Sequence, residues 1–338
     1  MIKDNSAWAI LSDLQLRKII PTHASLLDKR IQPTLDFFSS EYMNKACIAI
    51  LGSSSHDIAM MPICYQSSFT IKDDTHIELD NLNFNNVINT NKQPCHASLF
   101  IIVPGIGHSL RINGELNIIN NQQAIFNIKG VYFHCSRASV RSDFWKPRSI
   151  NQQVNQQENL ITEDNIISQS PYALLKTQNT IGKTEISPRG DDIGFIKVLN
   201  NTTLFMPERP GNKVAVSLRN IIECPAVELL FMVPGSVYTL NVKGQAYVST
   251  QPELLSMSQI NNKLPKTGII IKVDSKQFQF NNSINHSGLW DEDKAVDKNS
   301  LTSFSKALSS HMNGIGLMGM ATSAVVAGIV KHDLKNLY

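Results

Sequence analysis

Paired cysteines are missing from this chain. Its five cysteines (Cys47, Cys64, Cys95, Cys135 and Cys224) are odd in number, scattered and without a C-x-x-C spacing. That pattern argues against a disulfide scaffold and against a zinc knuckle. Charge is sparse as well: Asp, Glu, Lys and Arg make up 17% of the residues, and the net charge is +3. Lys and Arg form no long run, so a surface that tracks a nucleic-acid backbone is not expected. No secretory leader is expected either, because Asp13 and Gln15 interrupt the apolar stretch of MIKDNSAWAILSDLQLRK. A reducing cytoplasm is the expected location. One long uncharged run, Gly314 to Val330, has 17 residues and is diluted by Gly, Ala, Ser and Thr. A spanning helix wants about 20 strongly apolar residues. The run therefore reads as a small-residue helix packed on the protein rather than as a tail anchor.

What is present is an ordinary globular composition, 42% apolar over 338 residues, enough for two domains with separate cores. The chain also repeats itself. Leu99–Leu116 (LFIIVPGIGHSLRINGEL) matches Leu229–Ala246 (LLFMVPGSVYTLNVKGQA) at an offset of 130, with Pro104 on Pro234 and Gly114 on Gly244. Tyr42 and Tyr172 keep that offset. Val131–Trp145 then aligns with Lys276–Trp290 at an offset of 145, which places a 15-residue insertion in the polar stretch after Val248. A period this long is a duplicated domain, not a solenoid.

Each unit reads as β. Two apolar runs flank Asn200-Asn201, a hairpin signature. Leu218, Ile221 and Ile222 suit a short helix that ends before Pro225. Closely spaced strands with one or two helices favour a small antiparallel barrel. The expected organisation is a helical leader over 1–36, a first barrel over 37–148, a Gln/Asn-rich linker over 149–170, a second barrel over 171–293 and a helical tail over 294–338.

Candidate chemistry lies in four segments. Ser187-Pro188-Arg189-Gly190-Asp191 and Arg209-Pro210-Gly211-Asn212-Lys213 flank the second unit's hairpin, each joining a turn, a glycine and a guanidinium. Glycine lets backbone N–H groups approach an anion, and arginine offers a planar fork for phosphate oxygens. In the first unit, Arg137 and Arg141 stand four apart, on one face if helical. His134 beside Cys135 reads as a ring-packing or hydrogen-bonding residue, since catalytic Cys–His pairs meet in space rather than in sequence. No catalytic dyad and no metal-ligand set stands out.

In order, S-P-R-G-D, G-F-I-K-V-L, R-P-G-N, S-L-R-N-I, L-L-F-x-V-P-G, T-L-x-V-x-G and F-H-C-x-x-A-x-x-R-S-x-x-W resemble the pyridoxamine 5′-phosphate oxidase-like FMN-binding split barrels. More narrowly, they resemble the predicted flavin-nucleotide-binding branch. The resemblance covers about residues 170–293 well and 37–148 more weakly. It implies two tandem split β-barrels, mainly β with peripheral helices, and FMN at their interface. The phosphate and ribityl side would be Ser187, Arg189, Gly190, Asp191, Arg209, Gly211, Asn212, Lys213 and Ser217. The closing segment would be His134, Arg137, Arg141 and Trp145. One departure is Val214, where relatives commonly carry a second basic residue.

The halves differ in complementary ways. The first has Ala59-Met60-Met61-Pro62-Ile63 near the place of S-P-R-G-D, and Asn81, Leu82, Asn83 and Phe84 without a cation where R-P-G-N would stand. The second has Gln279, Phe280, Asn282 and His286 in place of His134, Cys135, Arg137 and Arg141. One composite flavin site per chain is the expectation. The resemblance leaves three uses open: an FMN-dependent oxidoreductase on a small substrate, with NAD(P)H as a candidate reductant; a flavin carrier or redox sensor; or a haem protein using His134 or His286. It also leaves open whether the barrels pair within one chain or across a homodimer.

Overall fold

A computed structural model describes residues 6–55, 59–84, 94–146, 160–314 and 317–338. Strand β1 (Ala9–Ile10) precedes a first sheet of β2 (Ile48–Ser53), β3 (Met61–Cys64), β4 (Phe69–Ile71), β5 (His76–Leu79), β6 (Cys95–Ile102), β7 (Ser109–Ile118) and β8 (Ala124–His134). The second sheet holds β9 (Tyr172–Gln178), β10 (Thr184–Gly190), β11 (Lys197–Asn200), β12 (Thr203–Pro207), β13 (Ala226–Met232), β14 (Tyr238–Ser249) and β15 (Gly268–Phe280). The helices are α1 (Asp13–Ile19), α2 (Phe37–Met43), α3 (Tyr65–Ser68), α4 (Arg137–Arg141), α5 (Ile166–Gln169), α6 (Val216–Glu223), α7 (Pro252–Ser256), α8 (Asn282–Ser287), α9 (Phe304–Asn313) and α10 (Leu317–Lys335).

The sheets run β3-β2-β6-β7-β8-β5-β4 and β10-β9-β13-β14-β15-β12-β11, the same order in two antiparallel, curled sheets. The fold is two split barrels, with peripheral helices. Strand register fixes which residues correspond. Leu110 faces Phe133 as Leu240 faces Phe278, which preserves the offsets of 130 and 145. Both sheets carry a register shift at the same place, Asn113/Gly114 and Lys243/Gly244. Tyr42 and Tyr172 do not correspond. Tyr42 lies in α2, and Tyr172 opens β9 opposite Met232, where the first sheet has Ile48 opposite Ile102. The offset there is 124, so the coincidence of two tyrosines at 130 has no structural meaning.

Side-chain alternation explains how the barrels meet. In β2 and β6, Ala49, Leu51, Leu99 and Ile101 fill the first barrel's core, whereas Ile48, Ile50, Phe100 and Ile102 point the other way. In β9 and β13, Ala173, Leu175, Leu229 and Phe231 fill the second core, and Tyr172, Leu174, Leu230 and Met232 point outward. The two outward sets join in one apolar layer between the barrels. These strands are buried on both faces, so they read as continuous apolar runs rather than alternating ones. Trp145 and Trp290 close the layer in equivalent ways, donating through Nε1 to the carbonyls of Ile106 and Ser236 at 2.8 Å each.

The leader is not only helical. β13 pairs with β14 as far as Gln245, which leaves the end of β14 unpaired on that edge. β1 covers it, Ala9 against Ser249 and Ile10 against Val248. Further on, Gln32 bridges to Val131 of the first barrel. Half of the expected linker, 149–159, lies outside the described residues, and Ile166 and Ile167 of α5 are already buried in the second core. The stretch between β14 and β15 contains α7. Among the described residues, no helix is long and apolar enough to cross a membrane.

At the register shift, a Cβ on Gly244 would lie 2.1 Å from the carbonyl oxygen of Lys272, a backbone atom that cannot step aside. Gly244→Ala is expected to destabilise the protein by about 2–3 kcal/mol. Gly211→Ala, whose nearest neighbour would be 3.9 Å away, is expected to change stability little. Urea unfolding of both variants makes the comparison; equal midpoints would show that the strands yield.

Candidate functional site

A cavity of about 640 Å³ opens between the barrels, a volume ordinary for a small-molecule site. Eleven of the thirteen residues expected to hold a cofactor line it: Ser187, Arg189, Gly190, Arg209, Gly211, Asn212, Lys213, Ser217, His134, Arg137 and Arg141. Asp191 and Trp145 do not. Asp191 is fully buried behind the wall, where it binds Arg209, and Trp145 packs among Phe144 and Trp290. One wall is apolar and comes from outside the barrels, with Leu26 and Leu27 of the leader, Phe304 and Leu308 of α9 and Val326, Ile329 and Val330 of α10.

Each cationic residue is positioned by identifiable contacts. Gly190 ends β10, and a Cβ there would lie 2.1 Å from the carbonyl oxygen of Ala138. The glycine lets α4 of the first barrel lie directly on β10 of the second. Arg137 and Arg141 of α4 then both donate to the carbonyl of Pro210, at 3.4 and 2.8 Å. The loop beyond Pro210 holds two non-glycine residues in the left-handed region, Lys213 (φ 63°) and Ala215 (φ 55°). Such a conformation persists only when neighbours impose it. Here Asn212 accepts from the Val214 N–H, and Arg17 of α1 donates to the carbonyls of Lys213 and Val214.

Two of the arginines expected to face phosphate are already paired. Arg189 meets Glu208, and Arg209 meets Asp191, each at 2.5 Å. A guanidinium buried without a counter-ion would cost more than folding could recover, so the carboxylates are part of the site. Even so, seven cationic side chains line the cavity and a single carboxylate, Glu208, does.

Sequence reasoning missed the floor. Arg111 of β7 is 1% exposed and reaches across to β10. It pairs with Glu185 at 2.6 Å and donates to the carbonyl of Ile186, to Ser187 Oγ and to Tyr132. Tyr132 donates to Glu185 at 2.7 Å, and Ser217 to Ser187 at 3.0 Å. Arg30 stacks 5.1 Å from the Tyr132 ring and is 7% exposed. Arg111 lies in Leu-Arg-Ile-Asn-Gly, where the second unit has Leu-Asn-Val-Lys-Gly. An arginine flanked by leucine and isoleucine inside a strand was the available signal.

Three nitrogens on this floor are buried with no hydrogen-bond partner: Arg111 Nε, Arg189 Nε and His134 Nε2. Polar groups orphaned in this way are costly and rare, and all three belong to residues that line the same cavity. Burial drives the His134 pKa well below its ordinary value, and the neighbouring Arg111, Arg30 and Arg189 push it the same way. The imidazole is therefore neutral. The donors fit an anionic ligand rich in acceptors; among the described residues no group of His, Cys, Asp and Glu could hold a metal ion.

The equivalent positions on the other side of the interface are different. Met61, Ile63 and Cys64 stand where the second barrel has Ser187, Arg189 and Gly190. Asn241 replaces Arg111 and donates to the carbonyl of Met60 at 2.9 Å. Leu82 and Phe84 are buried in the first core. Asn282 and His286, on α8, line neither of the two cavities that flank the second unit's loop.

No family profile matches the chain, and no curated protein does. Among solved structures, it is similar to HupZ from Group A Streptococcus, with 19% identity, 36% of this chain and 95% of that one covered, and a TM-score of 0.30. It is also similar to a candidate pyridoxamine 5′-phosphate oxidase from Lactobacillus delbrueckii (18% identity, 36% and 97% covered, TM-score 0.27). A third is the general stress protein 26 from Bacillus anthracis (15%, 34% and 88%, 0.28).

The neutral His134 has a measurable consequence. In the unfolded chain a histidine takes up a proton near pH 6.5, whereas the folded His134 does so only well below that. Between the two values the unfolded state holds the extra proton, so stability rises with pH and falls as the solution is acidified. His134→Gln is expected to remove about 1.4 kcal/mol per pH unit from the slope of stability between pH 6 and 5. His108, whose burial lowers its pKa to about 4, leaves a residual slope of the same sign. Urea unfolding at the two pH values tests this; an unchanged slope would mean that His134 is already charged in the folded protein.

Proposed function

We propose that this chain binds flavin mononucleotide in one composite site and uses it as an oxidoreductase on a small substrate. The observation that carries the reading is the asymmetry of two equivalent inter-barrel faces. One has seven cations around a cavity and three orphaned buried donors, and the other has apolar or neutral residues at the matching positions. A dianionic phosphate needs the first environment and is repelled by the desolvation cost of the second.

In this reading Arg209, Lys213 and Arg137 hold the phosphate side, with Gly211 allowing close backbone approach. Arg111, Arg189 and His134 offer N–H groups to acceptor atoms deeper in the cavity; His134 does so as a neutral ring. The apolar wall from α9 and α10 excludes water from the ligand's ring system. A bound flavin would supply the electron transfer itself, while the protein fixes its orientation and field. The lack of an acid–base dyad is therefore no obstacle to redox catalysis. A haem held through the unpartnered His134 Nε2 is the second reading.

Counting flavins and recording spectra distinguishes these. The expected result is twin flavin bands and one FMN per chain by native mass spectrometry. Two per chain, or none with FMN in excess, would overturn the reading, and a Soret band on haem addition would favour the second. Arg209→Gln is expected to weaken FMN binding about ten- to a hundredfold, read by fluorescence quenching, whereas Asn282→Ala and His286→Ala leave it unchanged.

A further inference from the structure

A second cavity of about 400 Å³ lies beside the first. The two share one wall, the strip from Glu208 to Lys213 with Ala215. The second cavity is lined on its far side by Ile19, Ile20, Ile260, Leu264 and Lys263. Its near side is Tyr338, which does not line the first cavity. Two chambers flanking a strip that carries Arg209 and Lys213 suit a ligand with two halves and a diphosphate between them.

The segment that follows α10 packs against this strip. Arg141, which lines the first cavity, donates through Nε and Nη2 to the carbonyl of Leu337, the former at 3.0 Å. The Tyr338 ring lies 5.5 Å from the Arg141 guanidinium and 5.6 Å from that of Arg209. Its hydroxyl donates to Asp191, the same carboxylate that holds Arg209. Lys263 Nζ donates to the Tyr338 carbonyl at 3.0 Å. The segment is brought here by α10, whose Val326, Ile329 and Val330 sit on the first cavity. Leu337 and Tyr338 thus occupy donors that a second phosphate would need, while Lys213 and Ser217 remain on the wall of the first cavity.

Resting on the flavin reading above, we infer that Leu337 and Tyr338 are a stopper that sets ligand length. With the stopper in place the cleft accepts a flavin mononucleotide and rejects a flavin adenine dinucleotide. Without it, the dinucleotide's diphosphate crosses the strip, and its second half enters the 400 Å³ chamber. Tyr338 is then a specificity-determining residue, acting by the ring it places between two guanidiniums.

Affinities for FMN and FAD, measured by fluorescence quenching on four proteins, test this. The four are the full chain, a chain ending after Lys335, Tyr338→Ala and Tyr338→Phe. The chain ending after Lys335 and Tyr338→Ala are expected to gain about tenfold or more for FAD, with FMN changed less than about threefold. Tyr338→Phe, which keeps the ring, should discriminate like the full chain. Equal gains for FMN and FAD would overturn the inference, because the segment would then compete with any phosphate. FAD affinities equal across all four proteins would overturn it too. If no protein of the four binds FMN, the flavin reading itself falls, and that outcome differs from either of the others.

Discussion

The cleft depends on a charge that burial ought to forbid. Arg111 belongs to the first barrel, yet every group that satisfies it except Tyr132 belongs to the second. Removing one partner from a buried ion pair typically costs about 3–5 kcal/mol, because the other charge is left in low dielectric. The pair therefore holds the two sheets in one relative position more than it adds net stability. That position brings α4 onto Gly190 and carries Arg137 and Arg141 to the Pro210 carbonyl. The cleft's geometry follows from the docking of the barrels, not from either barrel alone.

The matching place across the interface shows what happens without such a constraint. There Asn241 makes the equivalent carbonyl contact to Met60, and a neutral amide needs no counter-ion. Nearby, Lys176 and Glu228 neutralise each other at 2.7 Å, and Glu228 also accepts from the Met60 N–H. Asn241 Oδ1 and Thr239 Oγ1 are buried there without a hydrogen-bond partner, but the charges are matched within the face, and methionine, isoleucine and cysteine fill the space beside them. Two faces with the same backbone plan have thus been resolved in opposite ways, one as packed interior and one as a chamber lined with charge.

Much of this was readable in the sequence, and the reasons differ by feature. The duplication and its offsets of 130 and 145 were legible because Pro-Gly turns and the paired Gly114 and Gly244 are backbone requirements, which leave sequence marks. The S-P-R-G and R-P-G-N segments were legible for the same reason. Besides the Arg111 floor, three things were not. β1 is two residues long, and nothing local marks a strand whose partner lies at Val248 and Ser249. The pairing of Arg189 with Glu208 and of Arg209 with Asp191 depends on the fold of a hairpin, not on spacing. Tyr338 is a single tyrosine just beyond α10, and its place against Asp191 and Arg141 is purely tertiary.

The strand β1 carries a kinetic consequence. Ala9 pairs with Ser249, so the leader cannot find its place until about 240 further residues have been made. At a synthesis rate of roughly 5–20 residues per second, that wait is on the order of 10–50 s. During it, the edge of Ala9–Ile10 has no native strand to join, and α1, which clamps the Lys213 loop through Arg17, has nothing to clamp. Assembly of the cleft is therefore a late event of biogenesis, gated by completion of the second barrel rather than by the folding of the first.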